Sequence, residues 1–496
     1  MTLAGLAGAG LSWPDLARAA TVEPWDPTRP LSLGGVKLRV LPVFMSTTFQ
    51  KKEKTSWKSW SDINTSAAAA EEVQRITQEL ATLAAAADFP IEILPPARVT
   101  STQEARQLHA TDYDVLLLYP ATGSRDTLTA CFPAKPDKDL VIFVRHQSGP
   151  TYYWYEALST KLLKKGTPEE VARNSATNHG GPTVQDVVVD DYAELAWRLR
   201  ALGGLKNFIG RRIVALGGPG GKYEGDAPAV AREKYHLEIV TVTYEDLARR
   251  IQILRKDESL LALARQWSQR YLAMPGIALE TQAQFVTNAF HLYLIFKDWM
   301  REHQATAFTI ANCMNTVMPI GETTACLPLS WLKDEGWAAF CESDFVIIPP
   351  GLLLHAVARR PFFLCNSTFP HKGVVTCAHC TAPRRMDGTH YEPARILTHY
   401  ESDYGAAPKV EMKLGQEVTI LDPEYSTGRW VNFKATIKAN PFHAICRTQQ
   451  DLAIQGDWKK LLGEARDSHW ILVYGDYMDE LSYAAGKIGV KLATLA

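Results

Sequence analysis

Apolar positions along the chain fall into two alternating textures, short unbroken runs and helical stripes. Asp114-Val115-Leu116-Leu117-Leu118-Tyr119 is an apolar run after a charge, and residues 140–144 repeat it. Runs of this length without polar alternation predict strands covered on both faces, as in parallel sheets. Residues 36–42 and 91–94 read as further strands, and 187–189 as another. Between the first two, Val73, Ile76, Leu80 and Leu83 share one helical face, with Ser66 placed to cap that helix. The pattern restarts near Ile209. Residues 212–216, 236–241 and 307–311 predict strands, with helices between them through Met300. From about Arg395 the texture changes. Residues 410–421 read as two strands about a Gly turn, and 430–437 alternate cleanly, as in an antiparallel module.

The expected architecture is therefore α/β: two doubly wound α/β domains followed by a β-rich, barrel-like C-terminal domain. The boundaries fall at 26–205, 206–355 and 356–496, after a leader-like segment at 1–25. In that segment residues 3–11 are small and apolar, Pro14 follows, and Ala17-Arg18-Ala19 matches a cleavage triplet. This reads as the hydrophobic half of an export signal peptide, implying a periplasmic or exported protein; without that role the protein is cytoplasmic.

The chain's 496 residues exceed what one core organises, and 46% hydrophobic with 22% charged residues is ordinary for a globular protein. The formal net charge is −1 with no basic stripe, so nucleic acid is not an expected partner. No apolar run is long enough for membrane insertion. The 8 cysteines show no disulfide spacing and read as small buried hydrophobes, Cys377-x-x-Cys380 included.

Candidate chemistry gathers where apolar segments end. Gly217-Gly218-Pro219-Gly220-Gly221 follows a strand but lacks nucleotide-binding spacing, and reads as a loop of close approach. His146 follows the 140–144 strand and His179 precedes 187–189; each is a substrate-binding candidate, or alternatively a turn or capping residue. Asn312 and Asn315 close the 307–311 strand. The densest stretch is Cys341-Glu342-Ser343-Asp344, then Phe363-Leu364-Cys365-Asn366-Ser367-Thr368, then Thr376-Cys377-Ala378-His379-Cys380, with His469-Trp470-Ile471-Leu472-Val473-Tyr474 far downstream. A carboxylate, an amide and two imidazoles suit a divalent cation.

In order and spacing these four segments resemble the L-fucose and L-arabinose isomerase superfamily. The resemblance implies a divalent ion, usually Mn2+, beside a small-molecule sugar, and a homo-oligomer, trimer or hexamer. It implies metal ligation by Glu342, by the position occupied here by Asn366, and by His379 and His469. Asn366 stands where the family has its second carboxylate, and an amide oxygen brings neither charge nor basicity. The expected activity is aldose–ketose isomerisation through an enediol, with Glu342, Asp344 and His371 as catalytic candidates. The alternatives are sugar epimerase or lyase chemistry, or an exported sugar-binding protein without catalysis.

Overall fold

The computed structural model describes residues 24–152, 159, 162–164, 182–424 and 428–495. Most of the leader-like segment and His179 lie outside these. The chain folds as mixed α/β, with parallel sheets and a closed six-stranded barrel in its C-terminal region. It divides into two compact units, 35–207 with 479–489, and the remainder.

In the first unit, β1 (Leu38–Met45) lies between β2 (Ile91–Ile93) and β4 (Val115–Pro120), and β3 (Ala97–Val99) extends the β2 side. β5 (Asp139–Val144) and β6 (Val187–Val189) complete an all-parallel sheet. β4 is buried throughout, which is why its sequence shows no alternation. The helix Ser66–Ala86 is capped by Thr65, one residue before the expected Ser66: its hydroxyl accepts the Ala68 N–H at 3.1 Å. Its buried face carries Glu72 where the apolar stripe suggested Val73. Arg145, itself fully buried just after β5, pairs with Glu72, and a paired charge tolerates burial.

The second unit begins with another all-parallel sheet, ordered β11 (Ala338–Phe340), β10 (Ala307–Ile310), β7 (Arg212–Leu216), β8 (Glu238–Val242). A small sheet joins β9 (Ile277–Leu279) to β14 (Ala394–His399) and β15 (Tyr404–Val410). The barrel runs in spatial order through β16 (Glu417–Glu424), β19 (His469–Tyr474), β12 (Phe363–Ser367), β13 (Val374–His379), β18 (Thr448–Ile454) and β17 (Arg429–Ala439). Pairing of β17 with β16 closes it, and β20 (Lys491–Leu495) adds in parallel to β17. Phe433 and Trp470 meet edge to face in the same core that holds Val214, Phe308 and Ala339 of the parallel sheet. One continuous core thus spans the boundary expected near residue 355.

The helix Ile348–Ala358 fastens barrel to sheet. A Cβ at Gly351 would lie 2.6 Å from the Phe340 ring and 3.1 Å from Ile471, so only glycine lets β11 and β19 approach this helix together. Glu342, two residues past β11, and His469, the first residue of β19, come together beside this helix. Among the described residues no helix is long and apolar enough to cross a membrane.

Candidate functional site

The site is built on loops that leave the C-terminal edge of the β7–β10–β11 sheet, where α/β folds gather their chemistry. Glu342 and Ser343, just past β11, have φ of 69° and 49°. Two consecutive non-glycine residues in the left-handed region persist only when their surroundings hold them there. The Gly-rich loop after β7 does so. Ser343 Oγ donates to Gly218 O at 2.8 Å, Gly220 N–H donates to Ser343 O at 3.0 Å, and Phe345 N–H donates to Gly220 O at 2.9 Å. Gly217 and Gly218 take φ of 81° and 90°, and a side chain at Gly217 would collide with the Tyr244 ring.

Asp344 is enclosed, with both oxygens occupied. Its Oδ1 accepts the main-chain N–H of Lys222 at 2.9 Å and of Val346 at 3.1 Å. Its Oδ2 lies 2.7 Å from Nδ1 of His469, whose side chain is wholly buried. His469 Nε2 then stands 3.3 Å from Glu342 Oε2 and 3.3 Å from Lys222 Nζ. From the other side, His379 Nε2 lies 3.6 Å from Glu342 Oε1, an ion-pair distance longer than a hydrogen bond. His379 Nδ1 is 3.4 Å from Thr381 Oγ1, which also receives the buried Lys333 ammonium at 3.3 Å. The Glu342 carboxylate therefore sits between two imidazoles and keeps 47% of its side-chain surface open to solvent.

Environment drives the two imidazoles apart. Burial alone would pull His469 down, but hydrogen bonds to Asp344 and Glu342 and the Glu342 charge raise it to about 9, against opposition from Lys222. His379 is pulled down by burial, which outweighs Glu342, and the positive His469 and Lys333 add to the fall. The His379 and His469 imidazoles on either side hold the Glu342 carboxyl far below its usual range despite burial. At neutral pH the cluster is one carboxylate, one imidazolium and one neutral imidazole.

The same shifts set a pH dependence of stability. His469 titrates higher folded than its ordinary 6.5, so its contribution is complete below that value and disappears as pH rises through about 9. Glu342 titrates lower folded, so its contribution is complete above its ordinary 4.5 and is lost only in acid. Chelator-treated protein should lose about 3 kcal/mol between pH 6 and pH 9.5 by urea unfolding. The same slope in His469→Gln would refute this origin.

Other candidates are placed elsewhere. Asn366 lies directly across the β12–β19 ladder from His469, so both side chains leave the same face of the barrel. It adds an amide beside the cluster. His371 is at the exposed tip of the β12–β13 hairpin, its Nδ1 3.0 Å from Phe369 O, and the structure does not bring it to Glu342. Asn312 and Asn315 are exposed after β10 and bond to each other at 2.9 Å. His146 is an exposed turn residue of the first unit; the main-chain N–H groups of residues 146–148 all donate to Asp190. Cys377 and Cys380 are buried, and Cys380 packs with Cys326, Cys446 and Ala407.

Lys222 is the member of the cluster that sequence reasoning missed. Its one signal is a cation closing a Gly-rich strand-end loop. The structure also changes the reading of Asp344: with both oxygens engaged, it positions His469 and is not free to accept a proton from a substrate.

Among the described residues, no three His, Cys, Asp or Glu side chains stand ready-made as a metal cage. The donor types nonetheless suit a divalent ion. Two imidazole Nε2 atoms flank one carboxylate, and Asp344 behind His469 Nδ1 is the outer carboxylate that commonly orients a ligating histidine. No family model matches the chain, and no curated protein matches it.

Proposed function

We propose that this protein is a divalent-metal-dependent sugar isomerase, interconverting an aldose and a ketose through an enediol. The observation that supports this reading is the convergence of Glu342, His379 and His469 on one place, from segments far apart in the chain. A pair of doubly wound α/β halves preceding the barrel, as in the isomerase superfamily the sequence resembles, is part of the same proposal.

Glu342, His379 and His469 would hold the ion, manganese or a similar divalent cation. When bound, such an ion stabilises negative charge on the two neighbouring sugar oxygens. The protein's own groups do the rest. Asp344 fixes the His469 ring. The Lys222 ammonium faces the same space and donates to a sugar oxygen as charge develops there. Glu342, the open carboxylate, receives the carbon-bound proton and returns it to the adjacent carbon. The Asn366 amide can bond a hydroxyl but cannot share the proton transfer.

That amide favours a second reading, a sugar-binding protein without turnover. A panel of aldoses and ketoses, assayed with manganese and after chelation, separates the two. Interconversion of at least one sugar, abolished by chelator and restored by manganese, is the expected result. Sugar binding that survives chelation, with no turnover on any member, would replace the enzyme by the binder.

A further inference from the structure

The β7–β10–β11 sheet has a second ligand-competent edge. Arg211, Thr306 and Trp337 immediately precede strands whose far ends lead into Gly217, Ala311 and Cys341. One strand length, roughly 15 Å, separates this edge from the Glu342 edge. Here a cavity of about 350 Å³ is lined by Asp26, Arg29, Arg211, Lys297, Glu335 and Arg385, among others.

The charges do not balance. Asp26 is engaged by Arg270 at 2.8 Å, and Glu335 by Lys297 at 2.8 Å. Arg211 has neutral acceptors: its Nε donates to Thr306 Oγ1 at 2.8 Å and one Nη to Thr306 O at 3.1 Å. Arg385 is 7% exposed. One of its Nη groups donates to the Arg29 carbonyl at 2.9 Å, while its enclosed Nε–H meets no acceptor among the described residues. Asp334 receives the Arg385 main-chain N–H at 2.8 Å, and burial pushes its carboxyl up to about 7 against the pull of the Arg384 and Arg385 charges, so it offsets Arg385 only in part at neutral pH. Burial with no acid beside it pulls Arg211 down to about 10, which leaves it a cation at neutral pH.

Among the described residues neither the Arg211 nor the Arg385 guanidinium has a carboxylate at ion-pair distance, and the enclosed Arg385 Nε–H without an acceptor is costly. Two planar forks lining one cavity are suited to an oxyanion. We propose that this cavity binds the phosphate group of a small metabolite between Arg211 and Arg385, as a site separate from the Glu342 cluster. Its volume is at the lower end of the range for small-molecule pockets, enough for a phosphate on a short carbon body.

The test uses inorganic phosphate as probe, by calorimetric titration and thermal unfolding of the full chain, with ionic strength matched by chloride. Wild-type protein should bind phosphate saturably, with a phosphate-specific rise in Tm. Arg211→Gln should weaken binding at least tenfold and abolish that rise while unfolding cooperatively. Arg385→Gln should do the same. If it fails to fold, Arg211→Gln, whose side chain is partly open, decides alone. Glu342→Gln should bind phosphate as wild type does, which separates failure here from failure of the isomerase reading. No saturation in wild type, an equal shift with chloride, or unchanged binding in Arg211→Gln would overturn the proposal.

Discussion

Glu342→Gln is expected to lower manganese-dependent sugar turnover by about 10³-fold, the scale of losing a general base with its charge. The replacement is nearly isosteric and the side chain is half open, so the fold should persist and circular dichroism should be unchanged. What disappears is the negative charge between His379 and His469. An amide cannot accept the carbon-bound proton and is a weaker ligand for a divalent ion. The bound manganese of purified protein should fall in parallel. Initial rates and metal analysis on one preparation check both. Turnover within tenfold of wild type would move the chemistry away from this carboxylate.

Asp344→Ala is expected to destabilise the protein by about 3–5 kcal/mol, the usual cost of removing one partner of a buried charge pair. Asp344 is 2% exposed and holds three donors: the Lys222 and Val346 N–H groups and His469 Nδ1. Without it, two main-chain donors and a buried imidazole lose their acceptor together. The Gly-rich loop, the residues after β11 and barrel strand β19 also lose a common anchor. Urea unfolding at pH 6.5 measures the loss. A change below about 1 kcal/mol would show that these segments are joined by other contacts. Asp344→Asn keeps the size and one acceptor, so it should fold better while leaving His469 less firmly oriented. Its turnover should fall more than its stability.

Much of the fold was legible in short-range pattern. The apolar runs at 115–118, 140–144 and 212–216 became β4, β5 and β7, and the alternation at 430–437 became β17 of the barrel. The pattern was silent where a strand is made by its partner. Tyr404–Val410 contains Gly405, Ala406, Ala407 and Pro408, a weak strand sequence, yet it is β15 because it pairs with β14, which also pairs with distant β9. It misplaced one buried helix position for a related reason. Glu72 is tolerated inside only because Arg145 arrives from another strand end. At the site, Glu342, Asp344, His379 and His469 stood out as polar groups closing apolar segments. Lys222 did not, since its neighbour His469 is 247 residues away.

The sequence by itself determined the element types, the change from parallel α/β to a barrel, and the shortlist of side chains with chemistry to offer. These follow from periodicity, which the geometry of a single segment sets. Only the tertiary structure decided that Asp344 is spent on orienting His469, that His371 lies apart, and that one histidine is a cation while the other is neutral. Those outcomes depend on which distant groups come within a few ångströms and how much water is removed, and no local pattern encodes either.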